Sequence, residues 1–251
     1  MVWAARAGLT ARGFVYLVMG ILALLIARGA HAQADQKGAL AQVMAKPYGS
    51  LVVTLIAVGL AGYALWRLSE AAVGVTGEGR KPGPRLKSLA RGLIYAFFTL
   101  SAVSLLKGSR GAQSTQERGY ASKLLSHQGG SWALALVGLV VVVVGLATIK
   151  EGLQLKFMRY FPSGHLSPRL HAAIRTLGRI GTVARGFVFT ITGVLVISAG
   201  LTHNAAKAGG LDVALKTLRD RPYGGPLLAL VAIGLIIFGI YGIAVARYRR
   251  V

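Results

Sequence analysis

Three arginines stand at the head of charge-free apolar stretches, and each is followed by a glycine and, four positions on, by an aromatic residue. The three strings are TARGFVYL (10–17), LARGLIYA (89–96) and VARGFVFT (183–190). A guanidinium group can pair with a carboxylate or bind the oxygens of a phosphate. Glu70 and Glu151 follow the next apolar stretch after the first two strings, which predicts the ion pairs Arg12–Glu70 and Arg91–Glu151. The third string has no such acid, so we expect Arg185 to contact a lipid phosphate, helix-end carbonyls or an acid from another part of the chain.

The other reactive side chains form no pattern typical of catalysis or metal binding. Cysteine is absent, which excludes disulfides, thiolate metal sites and cysteine nucleophiles. None of the five histidines lies at the centre of an apolar stretch, where a haem-binding membrane bundle needs facing pairs. The HExxH and GxSxG motifs are absent, and the apolar stretches contain no acid that could act as a base. We therefore expect no enzymatic activity, no metal and no cofactor.

The composition is that of a membrane protein. Hydrophobic residues make up 54% of the 251 residues and charged residues 14%, whereas about a quarter of a soluble domain is charged. The mean hydropathy is +0.60. Six stretches contain no Asp, Glu, Lys or Arg: 13–27, 48–66, 92–106, 129–149, 186–202 and 223–246. Since a transmembrane helix needs about 20 apolar residues, we predict an all-α membrane protein with six transmembrane helices, the first of them retained and not cleaved as a signal peptide.

The net charge of +22 is distributed along the ends of these stretches. This distribution argues against a nucleic-acid-binding protein, which clusters its basic residues on a soluble fold. The N-terminus, the loops near 67–91 and 150–185 and the C-terminus hold 18 Lys and Arg residues, and the other three loops hold 11. The excess predicts that both termini are cytoplasmic. A basic cytoplasmic face also attracts anionic lipid headgroups.

The six stretches form three tandem copies of one pattern. Counted from the repeated arginine, the aromatic residue lies at plus four, a small residue at plus eight, and a turn about 35–37 positions on. The three turns are 47–49, 127–129 and 222–224. We predict one transmembrane domain over residues 1–251, with repeats at about 4–72, 86–152 and 178–250. Because each copy has two helices, the copies are parallel in topology, and three such hairpins predict a pseudo-threefold bundle.

The stretches that begin the three repeats are short, with 15, 15 and 17 residues. At 1.5 Å per residue they reach about 23–26 Å, whereas the hydrocarbon core of a bilayer is roughly 30 Å thick. We therefore expect each helix to begin before its arginine, which then lies a turn or more inside. A cation at that depth must find partners or extend to the headgroups. A structural role, lipid binding and a substrate site remain alternatives for these arginines.

Pairs of glycines seven residues apart share one helix face and predict close helix packing. The alternative is a hinge or a pore lining. The pairs are Gly13 with Gly20, Gly138 with Gly145, and Gly186 with Gly193.

Two kinds of loop depart from a plain polar linker. The loop at 153–182 mixes apolar and basic residues, which predicts contact with anionic lipid at the inner face, or docking of a protein partner. The outer stretches 35–46 and 210–221 carry apolar residues at helical spacing. They predict short helices, either at the membrane surface or covering the end of the bundle.

The chain resembles DUF1206, a bacterial family of membrane proteins known as a domain of unknown function. The resemblance rests on the threefold ARG-aromatic helix start, the KGAL…PYG connection at 37–49 and the ARYRR ending at 246–250, and it covers essentially the whole chain. It implies six transmembrane helices in three tandem copies in a bacterial inner membrane, and it implies no activity.

The sequence thus favours a non-enzymatic accessory protein that binds lipid or partner helices. The alternative is a small transporter or channel along the pseudo-threefold axis. A membrane enzyme acting on lipid would need nucleophiles or paired carboxylates that the sequence lacks. A continuous cavity lined by Ser101, Ser104, Thr190 and Thr192 would favour transport, and a core closed by glycine packing would favour the accessory protein.

Overall fold

The computed structural model describes residues 2–74, 82–108, 113–161 and 167–248. The stretch GEGRKPGPR (77–85), which the sequence predicts to be a polar, turn-rich linker, falls partly outside the described residues. Residues 162–166 of the 153–182 loop and the last two arginines of the ARYRR ending also fall outside them. Within the described ranges every regular element is a helix, and no strand is present. The all-α fold class is confirmed.

Nine α-helices and two short 3₁₀ turns, Lys156–Tyr160 and Ala205–Lys207, make up the described chain. The helices are α1 (Val2–Ala27), α2 (Gln36–Met44), α3 (Gly49–Val73), α4 (Pro82–Leu106), α5 (Gln113–Leu125), α6 (Gly130–Leu153), α7 (Pro168–Leu201), α8 (Gly210–Arg219) and α9 (Gly224–Tyr248).

Six of these helices, α1, α3, α4, α6, α7 and α9, are long and apolar enough to cross a membrane. This finding over the described residues confirms the six predicted spans. The three shorter helices α2, α5 and α8 each lie between the two long helices of one repeat, in the loops that the sequence predicts to be outside the cell.

The turn before the second long helix of each repeat has the same backbone conformation. Tyr48, Gly129 and Tyr223 adopt positive φ angles of 60°, 77° and 58°, and a helix begins at the next residue. The middle turn is therefore 128–130, one residue later than the 127–129 predicted from sequence. The structure shows this register because Gly129 takes the left-handed conformation that the two tyrosines take elsewhere, and consecutive glycines in the sequence allowed either alignment.

The repeated arginines lie well inside their helices. Arg12 follows the start of α1 by ten residues, Arg91 follows the start of α4 by nine, and Arg185 follows the start of α7 by seventeen. The prediction that each helix begins before its arginine is confirmed. The second long helix of each repeat continues beyond the end of its charge-free stretch, so α3 includes Arg67 and Glu70.

The chain forms two compact units. The first comprises Met1–Val15, Leu40–Arg110 and Gly242–Val251, and its most deeply buried side chains include Leu9, Leu60 and Tyr63. The second comprises Tyr16–Ala39 and Gly111–Tyr241, and it buries Leu228 and Leu235 of α9 completely.

Candidate functional site

The N-terminal part of α7 carries a basic groove. α7 has 34 residues, about 51 Å at 1.5 Å per residue, so it exceeds a hydrocarbon core of roughly 30 Å. Ser167 caps the helix by accepting a hydrogen bond from the Leu170 N–H at 3.3 Å. The groove has a volume of about 590 Å³. Among the described residues it is lined by Pro168, His171, Ala172, Arg175, Thr176, Arg179 and Ile180.

The basic residues of this groove share one helix face. His171, Arg175 and Arg179 follow one another at intervals of four residues, which places them one above another along α7. Both arginines are exposed, and Ile180 beside them is 45% exposed. A concave surface that combines exposed guanidinium groups with an apolar side chain suits an anionic headgroup attached to an acyl chain.

A buried arginine, which sequence reasoning did not single out, is the centre of a polar cluster in the first unit. Arg67 is 4% exposed. Its Nη1 donates to Glu70 Oε2 at 2.6 Å, and its Nε donates to the Tyr63 hydroxyl oxygen at 3.0 Å. Ser88 Oγ of α4 donates to the same Glu70 oxygen at 3.0 Å. The three α3 residues lie on one helix face because they are spaced by four and three positions.

Tight packing of α3 against α4 positions the cluster. A Cβ atom on Gly92 would lie 2.7 Å from Leu68 Cδ2, so the missing side chain lets the two helices approach. Ser88 precedes Gly92 by one helical turn and therefore faces α3 at the level of Glu70. The sequence predicted that Glu70 pairs with an arginine of another helix, Arg12. The arginine that donates to Glu70 in this cluster, Arg67, belongs to the same helix as Glu70.

The predicted pairs Arg12–Glu70 and Arg91–Glu151 remain predictions. Arg12 and Arg91 both act electrostatically on the Tyr63 side chain, as Arg67 does. Arg12 is therefore near the cluster that contains Glu70, and Arg91 is as well. Glu151 is partly buried near the end of α6, in the second unit.

Arg185 contacts aromatic rings. Its guanidinium carbon lies 4.7 Å from the ring centre of Phe189, 5.1 Å from that of Phe238 and 5.5 Å from that of Tyr16. Its Nε is buried and has no hydrogen-bond partner among the described residues. Cation–π contacts of this kind stabilise a cation away from water. The sequence predicted phosphate, carbonyl or carboxylate partners and did not anticipate the aromatic ones, although Phe189 is the repeated aromatic residue at plus four.

The predicted packing glycines lie at helix contacts. Gly138 and Gly145 of α6 lie against Gly193 and Gly186 of α7, respectively, and in both cases an added Cβ would come within 2.9 Å of a backbone oxygen of the other helix. Gly20 of α1 lies against Ile236 of α9.

Gly13 also lies at a close helix contact, within the first unit. A Cβ on Gly242 of α9 would lie 2.9 Å from the Gly13 Cα. Small residues of this kind allow close approach of backbones.

A second polar cluster, missed by the sequence analysis, joins α2, α5 and α8 in the second unit. Asp35 caps α2, with its Oδ1 accepting from the Gly38 N–H at 2.7 Å. Asp212 Oδ1 accepts from the Ala34 N–H at 2.9 Å, and its Oδ2 accepts from Lys216 Nζ at 2.7 Å. The carboxylates of Asp35 and Asp212 are almost fully buried.

Gln113 and Glu117 of α5 complete this outer cluster. Gln113 Nε2 donates to Glu117 Oε1 at 2.9 Å, and its Oε1 accepts from the Lys37 N–H at 3.4 Å. Burial, together with the charges of Asp35 and Asp212, raises the pKa of Glu117 to about 7, although the hydrogen bond from Gln113 lowers it. Burial likewise raises the pKa of Asp35.

The outer cluster links three parts of the chain that are far apart in sequence, and so a search for local motifs does not find it. One signal was available: in a chain with 7 acids and 29 basic residues, Asp35, Glu117 and Asp212 all fall in the loops between paired spans. In the described part of the chain, no three His, Asp or Glu side chains are placed to hold a metal ion. The geometry indicates a structural junction that responds to protonation.

Six apolar spanning helices in three tandem pairs define a multi-pass α-helical membrane protein. The family model of DUF1206, Domain of Unknown Function, matches residues 7–74, 86–154 and 180–249. The chain belongs to the DUF1206 family, and its three matches confirm the three tandem repeats.

One relative matches the chain over nearly its whole length. The chain is 29% identical over 248 residues to the Uncharacterized protein YxxB of Bacillus subtilis (strain 168), covering 98% of this chain and 90% of the relative. No solved structure matches this chain.

Proposed function

We propose that this protein is a non-enzymatic membrane protein that binds anionic lipid headgroups through the basic groove on α7. The observation that carries the proposal is the alignment of His171, Arg175 and Arg179 along one face of α7, which lines a cavity of about 590 Å³. A basic residue near an anionic membrane surface contributes about 1 kcal/mol to binding. The groove lies on the part of α7 that exceeds the length needed to cross the bilayer.

The proposal includes an orientation. The groove lies in the part of the chain, 150–185, that contributes to the more basic set of loops, and the positive-inside rule places that set in the cytoplasm. Both termini then lie in the cytoplasm of a bacterial cell, and the groove faces the anionic inner leaflet. A protein partner at the 153–182 loop is the other occupant that this surface suits.

Contacts within the helices support an accessory protein over a transporter or channel. The hydroxyls of Thr190 and Thr192 donate to carbonyls of α7 itself at 2.9 Å, and Ser104 Oγ donates to the Ser101 carbonyl at 2.8 Å. Hydroxyls bonded in this way have less capacity to replace the hydration of a polar solute. The glycine contacts between α6 and α7 further support a closely packed core.

Native mass spectrometry of the detergent-solubilised protein tests the proposal. We expect retained phosphatidylglycerol in preference to phosphatidylcholine of the same acyl length, and a weaker preference at high ionic strength because exposed charges are screened. The variant R175Q should lose much of the preference. R169Q removes the same charge from an exposed position of α7 that does not line the groove, and it should keep the preference. Equal binding of both lipids by the wild-type protein would contradict the proposal.

A further inference from the structure

We propose that the first unit contains a binding site for one phosphate oxyanion, formed by Arg67 together with Arg12 and Arg91. The ligand class is a phosphate group, carried by a lipid headgroup or free in solution. This site shares no residue with the groove on α7, which belongs to the second unit, so either proposal can stand without the other.

The first support is a buried donor that the protein does not satisfy. Arg67 uses Nε for Tyr63 and Nη1 for Glu70, whereas Nη2 is buried and has no hydrogen-bond partner among the described residues. A buried charged donor without a partner is unfavourable, because water no longer solvates it. A phosphate oxygen at Nη2 would satisfy it.

The second support is the direction from which a ligand can reach this donor. The guanidinium carbon of Arg67 lies 4.2 Å from the ring centre of Trp66 and 5.2 Å from that of Tyr63. Both rings lie close to the guanidinium, and because Nε and Nη1 are already bonded, the Nη2 side is the part that can accept a ligand. Planar N–H groups match the oxygens of a phosphate.

The third support is the local charge. Arg12, Arg67 and Arg91 all act electrostatically on the Tyr63 side chain. Over residues 2–15, 40–74, 82–108 and 242–248, the described part of the first unit, the sequence contains one acid, Glu70. Three cations around Tyr63 attract an anion, and a phosphate diester or monoester carries the opposite charge.

The site lies near one end of α3. Arg67 precedes the last residue of that helix, Val73, by six positions, about 9 Å along the axis. Arg91 is exposed and lies one turn beyond Ser88 on α4, so the proposed site extends from the buried cluster to an exposed cation.

The test measures phosphorus bound to the purified full-length chain, together with titrations in mild detergent. After detergent exchange we expect about one phosphorus atom per wild-type chain at this site, in addition to any lipid held at the α7 groove. The variant R91Q should bind phosphate-containing ligand roughly tenfold more weakly, since one charge-assisted hydrogen bond is lost. R67K keeps the positive charge but lacks the planar N–H groups of a guanidinium, so it should also bind the ligand more weakly.

K87Q is the matched control, because Lys87 is an exposed cation on the same helix as Arg91. It should bind as the wild-type chain does. If R67K does not fold, the comparison of R91Q with K87Q still decides. Equal phosphorus content and equal affinity in wild type, R91Q and K87Q would overturn the proposal. A wild-type chain that binds neither short-chain phosphatidylglycerol nor inorganic phosphate would also overturn it.

Two titrations distinguish the sources of the phosphate group. Binding of short-chain phosphatidylglycerol without binding of inorganic phosphate identifies a lipid headgroup, and competition by inorganic phosphate identifies a site open to the free ion. R175Q serves as the cross-control: it should weaken binding at the α7 groove and leave the phosphorus retained at Arg67 unchanged. Loss of that phosphorus in R175Q, with retention in R91Q, would refute the site at Arg67 and leave the groove.

Discussion

Gly138 of α6 lies directly against Gly193 of α7. A Cβ on Gly138 would lie 2.8 Å from the Gly193 carbonyl oxygen, and a Cβ on Gly193 would lie 2.7 Å from the Gly138 carbonyl oxygen. The contact is mutual and involves backbone on both sides, which cannot move aside as a flexible side chain can. Two helical turns further along, Gly145 and Gly186 make the same mutual contact.

The substitution G138A should therefore destabilise the second unit. The added methyl group forces α6 away from α7, and overpacking of this kind costs about 1–3 kcal/mol, which outweighs the better helix propensity of alanine. G119A is the control, since a Cβ on Gly119 of α5 would meet nothing within 4 Å; it should stabilise by up to about 1 kcal/mol. Thermal unfolding in detergent measures both, and a G138A protein as stable as G119A would contradict the packing role.

The outer cluster should make stability depend on pH. The folded-state pKa of Glu117 is raised to about 7 from an ordinary 4.5, so the folded chain binds more protons than the unfolded chain between these values. Stability is then highest at the acidic end of this range and falls as the pH rises towards 7. We expect a higher unfolding temperature at pH 5.5 than at pH 8.

The substitution E117Q removes the titrating group while it keeps a hydrogen-bonding amide near Gln113. It should flatten much of this pH dependence, with the raised pKa of Asp35 leaving a smaller slope of the same sign. D220N, which neutralises an exposed acid near the end of α8, should retain the wild-type slope. The charged neighbours that could alter the profile are Lys37, Arg118 and Lys216, together with Asp35 and Asp212.

The aromatic contacts of Arg185 predict that lysine cannot replace it. An ammonium group is compact and strongly hydrated, so it stacks less well among Phe189, Phe238 and Tyr16 than a planar guanidinium does. We expect R185K to lower the free energy of unfolding by about 1 kcal/mol. R169K, at an exposed position of the same helix, should change little. A similar loss in both variants would show that the aromatic contacts contribute nothing specific.

The absence of cysteine makes the proposed orientation directly measurable. A membrane-impermeant maleimide should label Y120C, on the exposed surface of α5, in intact cells. It should label R169C, on the exposed surface of α7, only after the cells are permeabilised. The wild-type chain, with 0 cysteines, gives the background. The reverse pattern would place the α7 groove outside the cell.

The six spans and their repeat could be predicted because both depend on local patterns. Charge-free stretches of the right length mark membrane helices wherever they fold, and the repeated ARG-aromatic strings mark the three pairs. Span length also predicted that Arg12, Arg91 and Arg185 lie inside helices, since the stretches after them are too short alone.

The polar clusters could not be predicted in the same way. The charge-free stretch ends at Trp66, and the charge of Arg67 predicts the membrane boundary at that point. α3 continues to Val73, and the Tyr63 hydroxyl and Glu70 carboxylate make the buried cation tolerable. The outer cluster depends on contacts between Asp35, Glu117 and Asp212, which are separated by tens of residues and belong to no shared motif.

The length of α7 has a mechanical consequence. One uninterrupted helix joins the groove at Arg175 to the fixed glycine contact at Gly193, a distance of about 27 Å for eighteen residues. The helix contains no loop that could absorb a rotation, so it acts as a rigid lever with its pivot at the glycines. A tilt of roughly 5° at that pivot would displace the groove by about 2 Å, so whatever occupies the groove can exert torque on the packed helices.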